Sequence, residues 1–452
     1  MADYIFTLER RLLPEQYQTV QRLEQVCREQ QTNLYLTGGP MRDLLAGRPI
    51  RHLDFTLDGN PQKLKKTLAR ESFEVIYEGE HEESLRLRRR QTRLRLSAAH
   101  TWVFGPGGKP QWRKCSVMED LKSRGFTLDA IGLSLNPASR GLLLDPTNGL
   151  ADIEARQIRI IQPLAFQQDP VLLLRALRLA TRLEFQMEER TAARWSEACE
   201  ENRLTHALPL MLGRELEALA YEPDPARILR AWQKEKLLAP AFGKALKLAS
   251  MNFAAMAQAP KLAEDLNAAG LTADPAPAIL QCMLGHLPAR DQSALARLPL
   301  SQPLARWREL PQAAKALEKQ IASKAAATLS GLYEILQQTP PEVTLYAMLP
   351  GSLPRSQKRL KEFCTALPPL RARLPILALR QLGANPDTGA FQQVIRILFR
   401  RMLQGELTQE SELALALRQE AEKLHLIPAP SPVAETASSR PGRGRGRGRR
   451  PG

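Results

Sequence analysis

The most constraining feature of this sequence is a short strand that runs into two glycines and a helix. Residues 33–37 have the length and flanking turn residues of a strand, and Gly38 and Gly39 follow directly. Adjacent glycines let the backbone approach a ligand closely, and Pro40 suits the first turn of a helix. The positive end of that helix, together with Arg42, would favour an anion such as phosphate. The segment therefore predicts a phosphate-binding turn, with a purely structural turn as the alternative.

A second predicted strand follows this helix and carries His52 and Asp54. Side chains two residues apart on a strand point to the same side, so these two would project together toward the glycines. Carboxylates held in this way bind the divalent cations used in phosphoryl-type transfer. The segment therefore predicts a metal site at Asp54 and His52 in which one carboxylate is missing.

The chain changes character at about residue 160. Short β-rich runs mixed with helices come first, and leucine and alanine at helical spacing follow. We therefore predict an α+β fold, with a mixed-sheet head followed by an all-α region. The predicted strands are 33–37, 53–57, 73–77, 84–88, 92–97 and 131–135. The predicted domains are a head at 1–160, a helical neck at 161–229, a helical body and tail at 230–427, and a disordered Arg/Gly-rich C-terminus at 428–452.

Composition narrows the class of partner. The formal net charge is +16, which favours an anionic partner, most commonly nucleic acid. The five cysteines include no CxxC pair that would hold zinc or form a redox couple. No apolar run reaches the roughly 18 residues of a membrane span. We therefore expect a soluble, cytoplasmic protein with no membrane partner.

Four segments occur in an informative order. They are GGPMRD at 38–43 with HLD at 52–54, RGFTLDA at 124–130, LDPTNGLADI at 144–153, and QDPVLLLRALR at 168–178. Together they resemble the bacterial-type (class II) tRNA CCA-adding enzymes and poly(A) polymerases, a branch of the DNA polymerase β-like nucleotidyltransferase superfamily. The resemblance covers about residues 30–190, and the ordered series is far more specific than any one segment.

This resemblance implies template-independent transfer of AMP or CMP from a nucleoside triphosphate to an RNA 3′ end. It implies Mg²⁺ or Mn²⁺ as cofactor, ATP or CTP as substrate, and tRNA or another RNA 3′ end as partner, with no DNA. Asp54 and His52 match the catalytic metal positions. The implied nucleotide-binding residues are Gly38, Gly39, Arg42, Asp43, Arg124, Asp169, Arg175 and Arg178. For Asp169, which precedes a proline at a helix start, helix capping is the alternative to base recognition.

Several positions depart from the family pattern. His52 replaces the first aspartate of an Asp-x-Asp strand, and imidazole is a poor ligand for magnesium. Arg95 lies in the segment that aligns best with a third acid of the superfamily. Gly125 replaces an aspartate, and Leu172 replaces an arginine that reads the incoming base. These losses indicate that the active centre has lost its original function or has taken on another one. A catalytically inactive relative that binds RNA is therefore the alternative function. A protein-interaction scaffold without RNA is a third hypothesis.

Two arginine-rich segments predict RNA contacts. One is a predicted hairpin in which leucine and arginine alternate, where dense like charge favours a nearby anion. The other is the Arg/Gly-rich C-terminus, which would give mobile, salt-sensitive contacts to phosphates and bases. A solvated strand face and a solubilising tail are the respective alternatives. The candidate RNA-binding residues are Arg88, Arg89, Arg90, Arg443, Arg445 and Arg447.

Overall fold

The computed structural model describes most of the chain. The described residues are 3–79, 83–90, 92–104, 110–301, 304–384 and 388–426. The predicted Arg/Gly-rich C-terminus, with Arg443, Arg445 and Arg447, lies outside them. The chain divides into two compact units, Met1–Pro368 and Pro369–Gly452. The finer boundaries predicted within the first unit stay predictions.

A mixed seven-stranded sheet forms the head, in the order β3-β4-β5-β2-β1-β8-β9. Strands β2 and β5 run parallel, whereas the other neighbours in this sheet are antiparallel. Strands β6 and β7 form a separate hairpin, and β10 pairs with β11 in parallel. The strands are β1 (Leu34–Thr37), β2 (Leu53–Leu57), β3 (Glu74–Gly79), β4 (Ser84–Arg89), β5 (Thr92–Ala98), β6 (His100–Phe104), β7 (Pro110–Lys114), β8 (Gly132–Ser134), β9 (Leu143–Leu144), β10 (Gln157–Ile158) and β11 (Gln186–Met187).

Helices surround this sheet and then make up the rest of the first unit, which confirms the predicted α+β head followed by an all-α region. The head helices are α1 (Tyr4–Arg11), α2 (Pro14–Glu29), α3 (Gly39–Leu45), α4 (Lys65–Arg70), α5 (Val117–Lys122), α6 (Gly149–Glu154) and α7 (Ala165–Gln168). The following helices are α8 (Leu172–Leu183), α9 (Glu189–Glu200), α10 (Pro209–Ala220), α11 (Pro225–Lys234), α12 (Leu238–Phe242), α13 (Phe253–Ala268), α14 (Ala276–Leu284), α15 (Ala289–Leu295), α16 (Leu310–Ile321), α17 (Leu329–Gln338), α18 (Pro341–Met348) and α19 (Pro354–Ala372).

The second unit contains α20 (Ile376–Gln381), α21 (Gly389–Leu403) and α22 (Glu410–Lys423). Helices α21 and α22 pack on each other through buried apolar residues such as Leu398 and Leu417. Within the described residues, no helix combines the length and the apolar character needed to cross a membrane.

The alternation of leucine and arginine in β4 and β5 assigns the two faces of the sheet. Leu85, Leu87, Leu94 and Leu96 are at most 3% exposed, because successive strand residues point to opposite faces. On the apolar side, β5 contacts α2 and β3 contacts α4. Arg86, Arg88, Arg93 and Arg95 therefore lie on the opposite face, which is also the face of Asp54.

Two arginines of this polar face bind carboxylates of the helical region. Arg86 pairs with Glu217 of α10. Arg93 pairs with Asp274, whose buried carboxylate also accepts a hydrogen bond from the hydroxyl of Tyr221 at 2.7 Å. These contacts hold α10 and the segment that leads into α14 against the sheet.

We expect Arg93→Ala to lower the free energy of unfolding by about 3 kcal/mol, because the buried carboxylate of Asp274 would lose its cation. The matched control is Arg88→Ala. Arg88 is the cross-strand partner of Arg93 and pairs with the exposed Glu74, and exposed ion pairs contribute at most about 1 kcal/mol. Urea unfolding followed by circular dichroism compares the two variants. Equal losses would show that Asp274 does not depend on Arg93.

Candidate active site

The glycine turn between β1 and α3 is filled by two side chains of the protein. Gly38 has φ of +72°, which favours glycine, and its amide donates to the carbonyl of Ile131 at 3.0 Å. A Cβ atom at Gly38 would lie 2.6 Å from Nη1 of Arg124. A Cβ atom at Gly39 would lie 3.0 Å from Nε2 of His52. The two glycines therefore make room for a guanidinium and an imidazole that lie directly on the turn.

Asp54 supplies the only carboxylate of β2 and is surrounded by positive charge. His52 lies one residue before the strand, with its Nε2 3.4 Å from Oδ2 of Asp54. Arg95 is the cross-strand partner of Asp54 on β5. Burial opposes ionisation of this carboxylate, but the charges of His52, Arg95 and Arg124 lower its pKa to about 2. Asp54 is therefore a carboxylate whose charge the protein itself offsets.

Arg124 is fixed on the same face of the sheet by side-chain and backbone acceptors. Its guanidinium donates to the carboxylate of Asp120 at 2.7 Å, the hydroxyls of Thr37 at 3.1 Å and Thr56 at 3.4 Å, and the carbonyl of Asp129 at 3.1 Å. These acceptors come from α5, from both central strands and from the turn that precedes β8. Arg124 is thus a positively charged group held by four acceptors beside the glycine turn. Its role in nucleotide binding stays a prediction.

The side chains around Asp54 do not suit Mg²⁺. This ion needs several oxygen ligands in an octahedral arrangement. Nowhere in the described part of the chain do three or more His, Cys, Asp or Glu side chains gather closely enough to hold a metal ion. The nearest charged neighbours of Asp54 include Arg95 and Arg124, and fixed guanidinium groups repel a cation. The residues present therefore do not fit the metal site implied by the family resemblance.

Gly125 and Leu172, two of the positions that depart from the family pattern, contact each other. A Cβ atom at Gly125 would lie 2.7 Å from Cδ2 and 3.2 Å from Cδ1 of Leu172. Leu172 begins α8 and is 4% exposed. The two departures are therefore structurally coupled, because the missing side chain at 125 leaves the space that the leucine fills.

Asp169 lies in the turn before α8. Its Oδ1 accepts a hydrogen bond from the amide of Val171 at 3.2 Å. Burial raises the pKa of Asp169, although the charge of Arg175 and the Val171 bond act in the opposite direction. The carboxylate therefore accepts from a backbone donor in the turn before α8, whereas the capping position of that helix is Val171. Its role in base recognition stays a prediction.

The predicted phosphate-binding residues on α3 belong to a buried ionic network. Arg42 donates to Asp43 at 2.9 Å and to Asp129 at 2.6 Å. Asp43 is fully buried and also accepts from Arg182 of α8 at 2.5 Å. Burial opposes ionisation of Asp43, but the two arginines lower its pKa. The charges of Arg42 and Asp43 are therefore engaged within the protein.

The predicted nucleotide-binding arginines of α8 extend the same network. Arg178 donates to Glu215 at 2.6 Å and to Glu222 at 2.5 Å, and Arg175 donates to Glu215 at 3.1 Å. Arg182 also lies 3.4 Å from Glu222. Sequence reasoning missed both glutamates: Glu215 lies in α10, and Glu222 lies in the turn that follows that helix. The network connects the glycine-turn helix to α8 and α10.

The predicted RNA-binding arginines of the hairpin differ in accessibility. Arg88 donates to the exposed carboxylate of Glu74 at 2.6 Å. Arg89 points to the other face, where it is 8% exposed and donates to the carbonyl of Glu71 at 3.2 Å. Arg90 occupies the exposed turn. Arg88 and Arg90 therefore remain accessible to a partner, whereas Arg89 packs inside the head.

The head matches a known family. Residues 34–159 match the poly A polymerase head domain. The A-adding tRNA nucleotidyltransferase of Aquifex aeolicus is 32% identical over 205 residues, which cover 45% of this chain and 25% of that protein. The A-adding tRNA nucleotidyltransferase of Halalkalibacterium halodurans is 29% identical over 218 residues, which cover 47% of this chain and 51% of that protein.

The match therefore spans between a quarter and about half of the length of these relatives. Among solved structures, a CCA-adding enzyme in its apo form II is 21% identical, with a TM-score of 0.48, and the alignment covers 92% of this chain and 99% of that one. Residues 34–159 of this chain therefore form a poly A polymerase head domain, and the chain is similar to A-adding tRNA nucleotidyltransferases over less than half of its length.

Proposed function

We propose that this chain is an RNA-binding member of the family that recognises RNA 3′ ends, including those of tRNA, without transferring nucleotides. The observation that carries this proposal is the register of β2 and β5. It puts Arg95 beside Asp54, where a divalent cation would have to bind. The protein has the glycine turn and Asp54 of the family pattern, and a guanidinium group stands beside that acid.

RNA is the partner that the charge and the family favour. The formal net charge of +16 favours a polyanion, and the relatives with matching heads are tRNA nucleotidyltransferases. Arg88 and Arg90 are accessible at the edge of the head. Electrostatic contacts of this kind bind phosphates with little dependence on sequence.

Loss of transfer is supported by two separate parts of the site. At β2, His52 and Arg95 leave Asp54 without a second acid. At the start of α8, Leu172 packs on Gly125 and offers no hydrogen-bond donor to an incoming base. Metal binding and base selection are therefore both impaired.

Nucleotide transfer is the second candidate function, with ATP or CTP as substrate and Mg²⁺ or Mn²⁺ as cofactor. The observation that favours it is Asp54 itself, which is ionised, 34% exposed in its side chain, and close to the glycine turn through His52. A cation-dependent reaction needs at least one accessible carboxylate here to bind the cation, and Asp54 provides it.

One experiment separates these candidates. Purified protein is incubated with labelled ATP or CTP, with Mg²⁺ or Mn²⁺, and with tRNA that lacks its 3′-terminal CCA. We expect a shift of the tRNA in native gels and no extension of it. Extension that disappears in Asp54→Ala would overturn the non-catalytic proposal and establish nucleotide transfer.

We expect the double variant Arg88→Ala/Arg90→Ala to weaken RNA binding and to make it less sensitive to salt. Removing two phosphate contacts to a single strand lowers the slope of log K against log salt concentration by about 1.4. Filter binding over a salt series measures both quantities. Arg418→Ala, at an exposed ion pair of α22, is the control. An unchanged slope in the double variant would remove these two arginines from the RNA contact.

A further inference from the structure

We propose that the hairpin of β6 and β7 is a contact site for single-stranded RNA, in which a base stacks on Trp112 and Lys114 binds a neighbouring phosphate. The inference rests on the proposed function, because it takes RNA as the partner and gives it a place to bind. The ligand chemistry is an unpaired nucleotide, with an aromatic base and a phosphate group.

The hairpin stands apart from the main sheet but starts and ends beside the candidate active site. Among the described residues, β6 and β7 pair only with each other, and the amide of Cys115 donates to the carbonyl of Ala99 at 3.2 Å at the base of the hairpin. The preceding strand, β5, carries Arg95, and the following helix, α5, carries Asp120, which binds Arg124. An RNA strand bound at the glycine turn would therefore lie close to the base of the hairpin.

Trp112 gives the hairpin an aromatic surface of fixed orientation. Its ring stacks on the ring of His100, with centres 5.8 Å apart and planes 24° from parallel. The Nδ1 atom of His100 donates to the carbonyl of Ala98 at 2.9 Å, which holds the imidazole in place. Trp112 is partly exposed and its indole nitrogen is buried. Any indole surface that reaches solvent is therefore carbon, which suits stacking on a base.

An exposed cation lies on the same face as this ring. Lys114 is two residues from Trp112 on β7, so both side chains point to one face of the hairpin, whereas Arg113 points to the other. Neither Lys114 nor Arg113 makes an ion pair or a side-chain hydrogen bond with another described residue. Lys114 also lines a surface depression with Lys63 and Asp58, where two ammonium groups face one carboxylate. A phosphate next to a stacked base would therefore meet positive charge.

The shape of the hairpin favours an unpaired strand over a duplex. A two-stranded ribbon can enter the major groove of B-DNA, but the major groove of A-form RNA is too deep and narrow for side chains to read. Unpaired RNA bases, in contrast, stack readily on exposed aromatic side chains. The RNA that fits this surface is therefore a single-stranded segment, such as a free 3′ end.

The test is fluorescence anisotropy of the full chain with a labelled RNA of about ten unpaired nucleotides. We expect Trp112→Ala to weaken binding at least about fivefold without changing its salt dependence, because a stacking contact carries no charge. We expect Lys114→Ala to lower the slope of log K against log salt concentration by about 0.7, as for one phosphate contact to a single strand. The control is Arg113→Ala, which removes an equal charge from the opposite face and should leave the slope unchanged.

Two further measurements separate stacking from loss of structure. Trp112→Phe keeps an aromatic ring, and we expect its affinity to lie between those of wild type and Trp112→Ala. An RNA with abasic linkers in place of bases tests the unmodified chain, and we expect it to bind at least about fivefold more weakly. Equal affinity for abasic and ordinary RNA, or equal slopes for Lys114→Ala and Arg113→Ala, would overturn the inference.

A circular RNA of the same sequence, which has no 3′ end, separates this inference from the proposed function. If the circle bound as tightly as the linear RNA and Trp112→Ala weakened both, 3′-end recognition would be refuted and the hairpin contact would stand. If the linear RNA bound more tightly and Trp112→Ala changed nothing, 3′-end recognition would stand and the hairpin contact would be refuted. Binding of neither RNA would refute both.

Discussion

Replacing Glu215 by alanine is expected to lower the free energy of unfolding by about 5 kcal/mol, the upper end of the range for breaking a buried ion pair. Glu215 is fully buried in α10 and accepts from both Arg175 and Arg178 of α8. Burial opposes its ionisation, but the two arginines hold the pKa of Glu215 below its usual range. Its removal would leave Arg178 with Glu222 alone in a buried place.

Two control variants separate charge from packing. Glu215→Gln keeps the volume and one acceptor and removes the charge, so a loss between those of wild type and Glu215→Ala is expected. Glu201→Ala removes the partner of Arg203 at the surface, where exposed pairs contribute at most about 1 kcal/mol. Urea unfolding followed by circular dichroism measures all three. If Glu215→Ala cost no more than Glu201→Ala, the network would not stabilise the packing of α10 on α8.

The strands of the head could be predicted because their pattern is local. All six predicted strands are present, with ends that differ by no more than two residues. In β4 and β5, leucines alternate with arginines, and this period fixes the buried face whatever the strands pack against. The hairpin of β6 and β7 was not predicted. Its second strand, PQWRK, is largely polar and lacks the apolar alternation of a half-buried strand. Its first strand, HTWVF, contains the aromatic and β-branched residues that favour strands, and this signal was overlooked.

The partners of the charged residues could not be predicted, because they are distant in sequence. Arg93 meets Asp274 and Arg178 meets Glu215 only after the helical region folds onto the head. A motif shows which residue types occur together, but not whether a carboxylate of the same chain neutralises an arginine. The prediction of nucleotide contacts for Arg175 and Arg178 therefore lacked the two glutamates that engage them.

The residues that depart from the family pattern lie next to one another or next to Asp54 in the structure. The alignment of residues 94–96 with a third acid was based on spacing alone, and the structure puts Arg95 directly beside Asp54. Gly125 and Leu172, which are far apart in sequence, contact each other. The departures thus form two clusters in space, one around Asp54 and one at the start of α8.

Reversing both clusters is expected to raise nucleotide transfer far above that of the wild-type chain. The variant carries His52→Asp, Arg95→Asp, Gly125→Asp and Leu172→Arg. We expect Mg²⁺-dependent extension of tRNA lacking its 3′ end at a rate at least about 10³-fold above wild type, because a metal ion contributes several kcal/mol and each 1.4 kcal/mol is tenfold. Incorporation of labelled ATP or CTP measures it. Gly125 and Leu172 must change together, because a side chain at 125 would collide with the leucine.

The informative control is the triple variant that keeps Arg95. It restores the Asp-x-Asp strand and the base position, so spacing alone would predict full activity. If the guanidinium of Arg95 occupies the place of the cation, this variant must remain as inactive as wild type and bind Mn²⁺ no better. Equal activity of the triple and quadruple variants would show that a metal ion can bind beside Asp54 while Arg95 is present. We therefore expect the charge at one cross-strand position, rather than the number of acids on β2, to decide whether this site can support catalysis.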